Sequence, residues 1–234
     1  MKVLVFTDVH GNLTCLQELV KTEDFKTADK IIFLGDVCVG GARPNECIEL
    51  LNQSGSVNLL GNNDYYVCDH IPKEEFLCSS NAKISQMKYM QNLVTKENKN
   101  IVNSWAKEFY LKVGNKTLYF THYPWEIVNG ELNVVNDPIV KNFQSVSLMF
   151  GEIQADVVVF GHEHKSNCYT NENKTYYCLG TLGLVSPSNY LIITIDNEEI
   201  NFEEKNLYHD INFEIDLIDK AGYPYNKSKI KRAN

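Results

Sequence analysis

The sequence predicts an α/β fold organised on a parallel or mixed sheet, and three features lead to that reading. Short apolar runs rich in Val, Ile and Leu recur along the chain, continuous rather than alternating, as in strands covered on both faces. Amphipathic segments of helical period separate the early runs, and strand–helix–strand alternation favours parallel pairing with helices on both sides. Five of the runs end in a carboxylate, an imidazole or a carboxamide.

Taken in order, the predicted strands are KVLVF (2–6), KIIFL (30–34), SVNLL (56–60), TLYFT (117–121), DVVVF (156–160) and YLIITI (190–195). Leu13, Leu16, Leu19 and Val20 share one helical face after a polar Gly-Asn turn, and Pro44 opens a second helix running to Leu51. Residues 72–110 are long, polar and helical in pattern, with Lys, Glu and Gln between Ile84, Met87, Met90, Leu93, Ile101 and Trp105. They read as an insert of two helices, either capping a site or covering the sheet. Residues 137–154 read as another amphipathic helix. From about residue 200 the chain is acidic, then aromatic, then basic, an extra C-terminal segment with no firm assignment. No linker breaks the pattern, so residues 1–234 are expected to form one domain.

Composition narrows the function classes. A net charge of −8 disfavours a nucleic-acid polymer as partner, since such proteins carry a basic face. The basic tail from Lys220 reads as a solvated terminus. No apolar run approaches the roughly 20 residues needed to span a bilayer. MKVLVFTDVHGN lacks a small-residue cleavage site and reads as a core strand rather than a signal peptide. The seven cysteines are scattered without a C-x-x-C pair, which argues against a zinc ribbon or thioredoxin-like motif, and their odd number without a secretory signal favours reduced, buried thiols and a cytoplasmic location.

The strand ends carry the chemistry. After the first run come Asp8 and His10; after the second, Asp36; after the third, Asn62, Asn63 and Asp64; after the fourth, His122; after the fifth, His162 and His164. A lone Asp there is usually a helix cap and a lone His a satisfied core residue. Five such ends in one α/β sheet, however, converge on its carboxyl edge, where ligands gather. Carboxylates and imidazoles packed together without a cation are costly, and a mixed O/N donor set without thiolate suits Mn, Fe, Zn, Co or Ni.

The series D-x-H, G-D, G-N-x-D, H and G-H-x-H, in order over residues 8–164, resembles the calcineurin-like metallophosphoesterase superfamily, and is most similar to its small bacterial and archaeal phosphodiesterase-like branch. The likeness extends to about residue 195 through the Gly-rich turn CLGTLG at 178–183. The resemblance implies a four-layer α/β/β/α sandwich with two mixed sheets, and two divalent metal ions, Mn²⁺ foremost, with Fe, Zn, Ni, Co or Mg as alternatives. It implies that Asp8, His10, Asp36 and His164 hold one ion and Asp36, Asn62, His122 and His162 the other, Asp36 bridging. The activity implied is hydrolysis of a small phosphorylated substrate, such as a nucleotide or dinucleotide, by attack of a metal-bridging hydroxide. Arg43, in the Gly-rich loop after Asp36, is either a phosphate contact or a solvent-facing residue at a helix start.

The chain departs from the family pattern at position 63. Most members have a His there that faces the leaving group, held by the acid that follows. Here Asp64 is present, but Asn63 stands in place of the His. An amide cannot give up a proton at neutral pH, so substrates with good leaving groups are expected: phosphodiesters or phosphoanhydrides. His70 is a surface histidine or a substitute acid; His209 lies far from any motif. A Ser/Thr protein phosphatase or phosphomonoesterase is the runner-up within the family, but its usual G-D-x-x-D-R-G and G-N-H-E blocks are absent. A non-catalytic scaffold of the same fold, as in the retromer subunit, is the alternative outside enzymology; all seven ligand positions are nonetheless filled.

Overall fold

Strand β1 (Lys2–Phe6) shows how the layers arise. Its alternate residues point to opposite faces, so Val3 and Val5 enter one buried cluster while Leu4 and Phe6 enter another. The first cluster lies between two sheets and the second beneath helices. In this computed structural model residues 1–73, 79–134, 142–196 and 199–224 are described.

The first sheet has the order β12-β11-β1-β2-β3, with β2 at Lys30–Phe33, β3 at Val57–Asn58, β11 at Ser188–Asp196 and β12 at Glu199–Leu207. β1, β2 and β3 run parallel, while β11 is antiparallel to both β1 and β12. The second sheet has the order β4-β5-β8-β10-β9, from β4 (Glu108–Val113), β5 (Lys116–Thr121), β8 (Val157–Phe160), β9 (Asn167–Thr170) and β10 (Thr175–Cys178). Here β5, β8 and β10 are parallel and the two edges antiparallel. A separate hairpin joins β6 (Trp125–Val128) to β7 (Glu131–Val134).

Val3, Val5, Ile32, Leu34, Phe120 and Val159 form part of the inter-sheet layer. The outer face of the first sheet packs on α1 (Leu13–Lys21), α3 (Pro44–Gln53) and α8 (Ile211–Ala221). The outer face of the second sheet packs on Val146 and Phe150 of α7 (Phe143–Phe150). The result is the four-layer α/β/β/α sandwich. Each continuous apolar run is therefore covered by helices on one side and by the other sheet on the other, not by helices on both sides; hydrophobic pattern alone does not distinguish the two covers.

Four further helices accompany the first half: α2 (Glu23–Thr27), α4 (Asn62–Val67) and, in the expected insert, α5 (Asn81–Leu93) and α6 (Lys96–Asn103). α5 and α6 lie in the outer layer, with Met90, Val94 and Val102 in the cluster under α1 and α3. Asn98 Nδ2 donates to Asn45 Oδ1 at 2.9 Å, tying α6 to the start of α3. The insert does not stay helical to residue 110: Glu108–Val113 is the edge strand β4, whose Phe109, Leu111 and Val113 pack on the inter-sheet layer with the period of two that a strand requires. The helix expected over 137–154 is described only as Phe143–Phe150, since residues 135–141 lie outside the described residues, as does the basic tail from 225. The segment from about 200 pairs β12 with β11 and docks α8 through Ile211, Ile215 and Ile218.

Phe120 is fully buried between the sheets, with Phe109 at 6.3 Å between ring centroids. Phe120→Ala is expected to lower unfolding free energy by about 3–5 kcal/mol, through lost transfer energy and the cavity left behind. Urea unfolding of the metal-free protein measures this; a loss below about 1 kcal/mol would mean that the two sheets close over the gap.

Candidate metal centre at the strand ends

The carboxyl ends of β1, β2, β3, β5 and β8 deliver every residue that the motif series singled out. Two kinds of backbone feature bring them together. Glycines precede the donors where chains nearly touch: a Cβ at Gly61 would stand 2.1 Å from Asp36 Oδ1, and one at Gly161 would stand 2.3 Å from Thr7 Oγ1. The donors themselves turn sharply. Asp8, His10, Asp36, His162 and His164 all have left-handed backbone, with φ of 57°, 50°, 61°, 74° and 57°. Such conformations cost about 1–3 kcal/mol each and persist where surrounding structure enforces them, most often at functional sites.

The side chains then meet head to head. Asp8, His10 and His164 form one group and Asp8, Asp36 and His122 another, each offering donor atoms within 4.8 Å of one another. His10 Nε2 lies 3.0 Å from His164 Nε2, and His164 Nε2 lies 3.0 Å from Asp8 Oδ1. On the other side, His162 Nδ1 lies 2.9 Å from Asn62 Oδ1 and 3.3 Å from His122 Nε2, which is 3.5 Å from Asp36 Oδ2. Donors bound about 2.1 Å from a common cation and at right angles to each other stand about 3.0 Å apart, so these spacings suit a shared ion. Asp8 Oδ1 is buried and accepts no hydrogen bond, an orphaned anion that a cation would satisfy. The donor set, carboxylate, imidazole and amide oxygen, fits a divalent metal.

Electrostatics point the same way. Burial pushes the Asp8 carboxyl up, but His164 and His10 outweigh it and hold it well below the usual range. Burial also opposes ionisation of Asp36, yet His122 brings it down to about 2. His122, itself buried, is pushed up to about 9 by Asp36 and Asp8. Burial and the neighbouring His122 push His162 down to about 4. Without a cation, the imidazoles must carry the positive charge that the two carboxylates demand.

Asn63 and Asp64 are tied to this centre. Asn63 N–H donates to Asp36 Oδ1 at 2.9 Å, and its side-chain amide donates to Asp36 Oδ2. Asp64 is fully buried, and its oxygens accept from the backbone N–H groups of Asp36, Cys38 and Gly61 at 2.7, 2.9 and 3.1 Å. It therefore ties the loop after β2 to the loop after β3, rather than holding the side chain at 63 as the family pattern implied. Burial and Asp36 raise it to about 6.

Arg43 is directed elsewhere. Its guanidinium pairs with Glu214 of α8, donates to Thr14 Oγ1 at 2.7 Å and lies over the Phe213 ring at 5.6 Å. In this arrangement the guanidinium faces the buried Glu214 carboxylate of a distant segment and not the donor cluster. His70 stacks on Tyr65 with centroids 4.6 Å apart, and His209 Nε2 lies 3.2 Å from Asn12 Nδ2. Sequence reading missed Tyr123, which stacks on His162 at 4.4 Å and donates to Glu163 Oε1 at 2.8 Å. It also missed Thr181, whose hydroxyl donates to the Asp8 carbonyl at 2.9 Å from within the Gly-rich turn. Adjacency to His122 was the only available signal for Tyr123.

Comparisons with known proteins agree with this fold. An uncharacterized protein of Methanocaldococcus jannaschii is 22% identical over 223 residues, 92% of this chain and 86% of its own. Among solved structures, a metallophosphoesterase from Sphaerobacter thermophilus superposes with a TM-score of 0.71 at 18% identity, covering 99% of this chain and 98% of its own. A novel archaeal phosphodiesterase superposes with a TM-score of 0.50 at 15% identity, covering 88% of this chain and 100% of its own. The family model for calcineurin-like phosphoesterases matches residues 1–166, the stretch that supplies all five donor-bearing strand ends, and the chain belongs to that family.

Proposed function

We propose that this protein is a dinuclear, metal-dependent phosphohydrolase acting on phosphodiester or phosphoanhydride bonds of small substrates such as nucleotides or dinucleotides. The observation that carries the reading is the donor cluster around the orphaned Asp8 Oδ1, in which His10, His164, Asp36 and His122 converge, with Asn62 and His162 beside His122 and no thiolate among them. Asp8, His10, His164 and Asp36 would hold one cation, and Asp36, Asn62, His122 and His162 the other. Divalent ions there, Mn²⁺ foremost, would supply Lewis acidity and lower the pKa of water toward neutrality.

The chain's own residues then set the substrate class. Two divalent ions add four positive charges locally, so phosphate is attracted despite the protein's net −8. Asn63, beside Asp36, can donate a hydrogen bond to a departing oxygen but not a proton. An alkoxide has a conjugate acid near that of water, about 15.7, and needs that proton. A phosphate group titrates near about 6 and departs as an anion. Dinucleoside polyphosphates and aryl phosphodiesters are thus favoured over alkyl monoesters and phosphoserine.

Hydrolysis of bis-p-nitrophenyl phosphate with added Mn²⁺ tests the reading. Turnover is expected with Mn²⁺, loss of turnover on chelation, and recovery on readdition. A protein that takes up no metal and turns over no ester or anhydride would be a scaffold on this fold instead.

A further inference from the structure

We propose that the C-terminal segment is a working part of the metal centre, with Tyr223 and Glu214 as positioning residues that hold the loop at 37–43, whose Val39 carbonyl fixes the ring of His10. The inference rests on the proposed function only in taking His10 as a metal ligand.

His10 Nδ1 lies 2.6 Å from the Val39 carbonyl oxygen and 3.2 Å from that of Cys38. A carbonyl only accepts, so Nδ1 carries a proton and Nε2 is the ring atom turned toward Asp8 and His164, where it can give its lone pair to a bound cation. Partners on the far nitrogen of a ligating imidazole set its tautomer, orientation and basicity. Here that partner sits on backbone that would not hold its shape unaided. Val39 is β-branched and left-handed at φ 65°, Gly40 follows at φ 138°, and the stretch has no helix or strand.

Ties from elsewhere hold it. Cys38 N–H donates to Asp64 on the strand side, and Gly40 N–H donates to the Tyr223 hydroxyl at 3.1 Å on the other. At the end of the loop Arg43 N–H donates to the Gly11 carbonyl at 3.1 Å, and its guanidinium pairs with Glu214. Glu214 also accepts from Thr14 N–H at 3.0 Å and Thr14 Oγ1 at 2.7 Å, so one buried carboxylate couples the first turn of α1 to the loop after Asp36. Tyr223 is buried against Tyr89, at 5.1 Å between centroids. Both positioning residues lie beyond residues 1–166, the part the family pattern describes.

A helix that merely covers the sheet would matter for stability alone. The full-length metal-free protein, Tyr223→Phe and Glu214→Gln are titrated with Mn²⁺ by calorimetry, with thermal melts and proton–nitrogen NMR of the histidine rings alongside. Tyr223→Phe keeps the aromatic packing and removes the acceptor for Gly40. It is expected to weaken Mn²⁺ binding about tenfold, the scale seen when an orienting partner is lost, and to shift or broaden the His10 Nδ1–H signal. Glu214→Gln is expected to act in the same direction and carries the decision if Tyr223→Phe fails to fold. Wild-type affinity and an unchanged His10 signal in the variants, whatever their melting temperatures, would overturn the inference. If the wild-type protein takes up no Mn²⁺, the functional reading fails, and the His10 signal still decides whether the segment positions the ring.

Discussion

Asp36→Asn is expected to lower kcat/KM for metal-dependent phosphodiester hydrolysis by more than about 10³-fold, since loss of a mere orienting partner already costs 10–100-fold. The substitution is nearly isosteric, and Asn tolerates the left-handed backbone that Asp36 adopts at φ 61°. The fold should survive. What disappears is the negative charge that faces His122 at 3.5 Å and that both cations are proposed to share. Metal content by atomic emission should fall below two ions per chain, while the far-UV spectrum stays unchanged. A variant that keeps two ions and activity within tenfold would refute the bridging role.

Asn63→His is expected to raise kcat/KM for an alkyl phosphomonoester by about 10²-fold or more, the lower end of what a positioned general acid contributes. Bis-p-nitrophenyl phosphate, whose leaving group needs no proton, should change only a few-fold. The backbone N–H of residue 63 donates to Asp36 Oδ1 whatever the side chain, so that tie survives the exchange. The side-chain donation to Asp36 Oδ2 is lost, which adds a modest penalty common to both substrates. The ratio of the two rates is therefore the informative quantity. A ratio equal to that of the wild type would sink the leaving-group account.

Much of this was legible in the sequence, for a physical reason. Asp8, Asp36, Asn62, His122 and His162 each follow an apolar run whose burial dictates a strand, and the parallel strands of each sheet deliver their carboxyl ends to the same site. Local pattern thus determined global position. The glycines at 61 and 161 were legible as letters of a motif, but their reason, a neighbouring chain within about 3 Å of where a Cβ would stand, is visible only in three dimensions. Glu108–Val113 was misread because its alternation was submerged in a longer polar stretch of helical period. The surroundings of Arg43 were hidden for a deeper reason. A Gly-rich loop near a metal site makes any Arg look like a phosphate ligand, and nothing local announces that Glu214, 171 residues away, will claim it.

The pairing of β1 has a consequence for how the protein is made. β1 sits between β2 and β11, with Leu4 opposite Ile192 and the terminal amine donating to the Ile195 carbonyl at 2.8 Å. The backbone around Asp8 is likewise held by residues 181–183, through hydrogen bonds to the Thr7 and Asp8 carbonyls. During synthesis the first strand must therefore wait, one edge unpaired, until nearly the whole chain has left the ribosome. Contacts of such long sequence separation fold slowly and leave strand edges open to wrong partners. Asp8 and His10, the earliest of the proposed metal ligands, thus emerge long before β11 can pair with β1, and a cation site built on them is expected to form late.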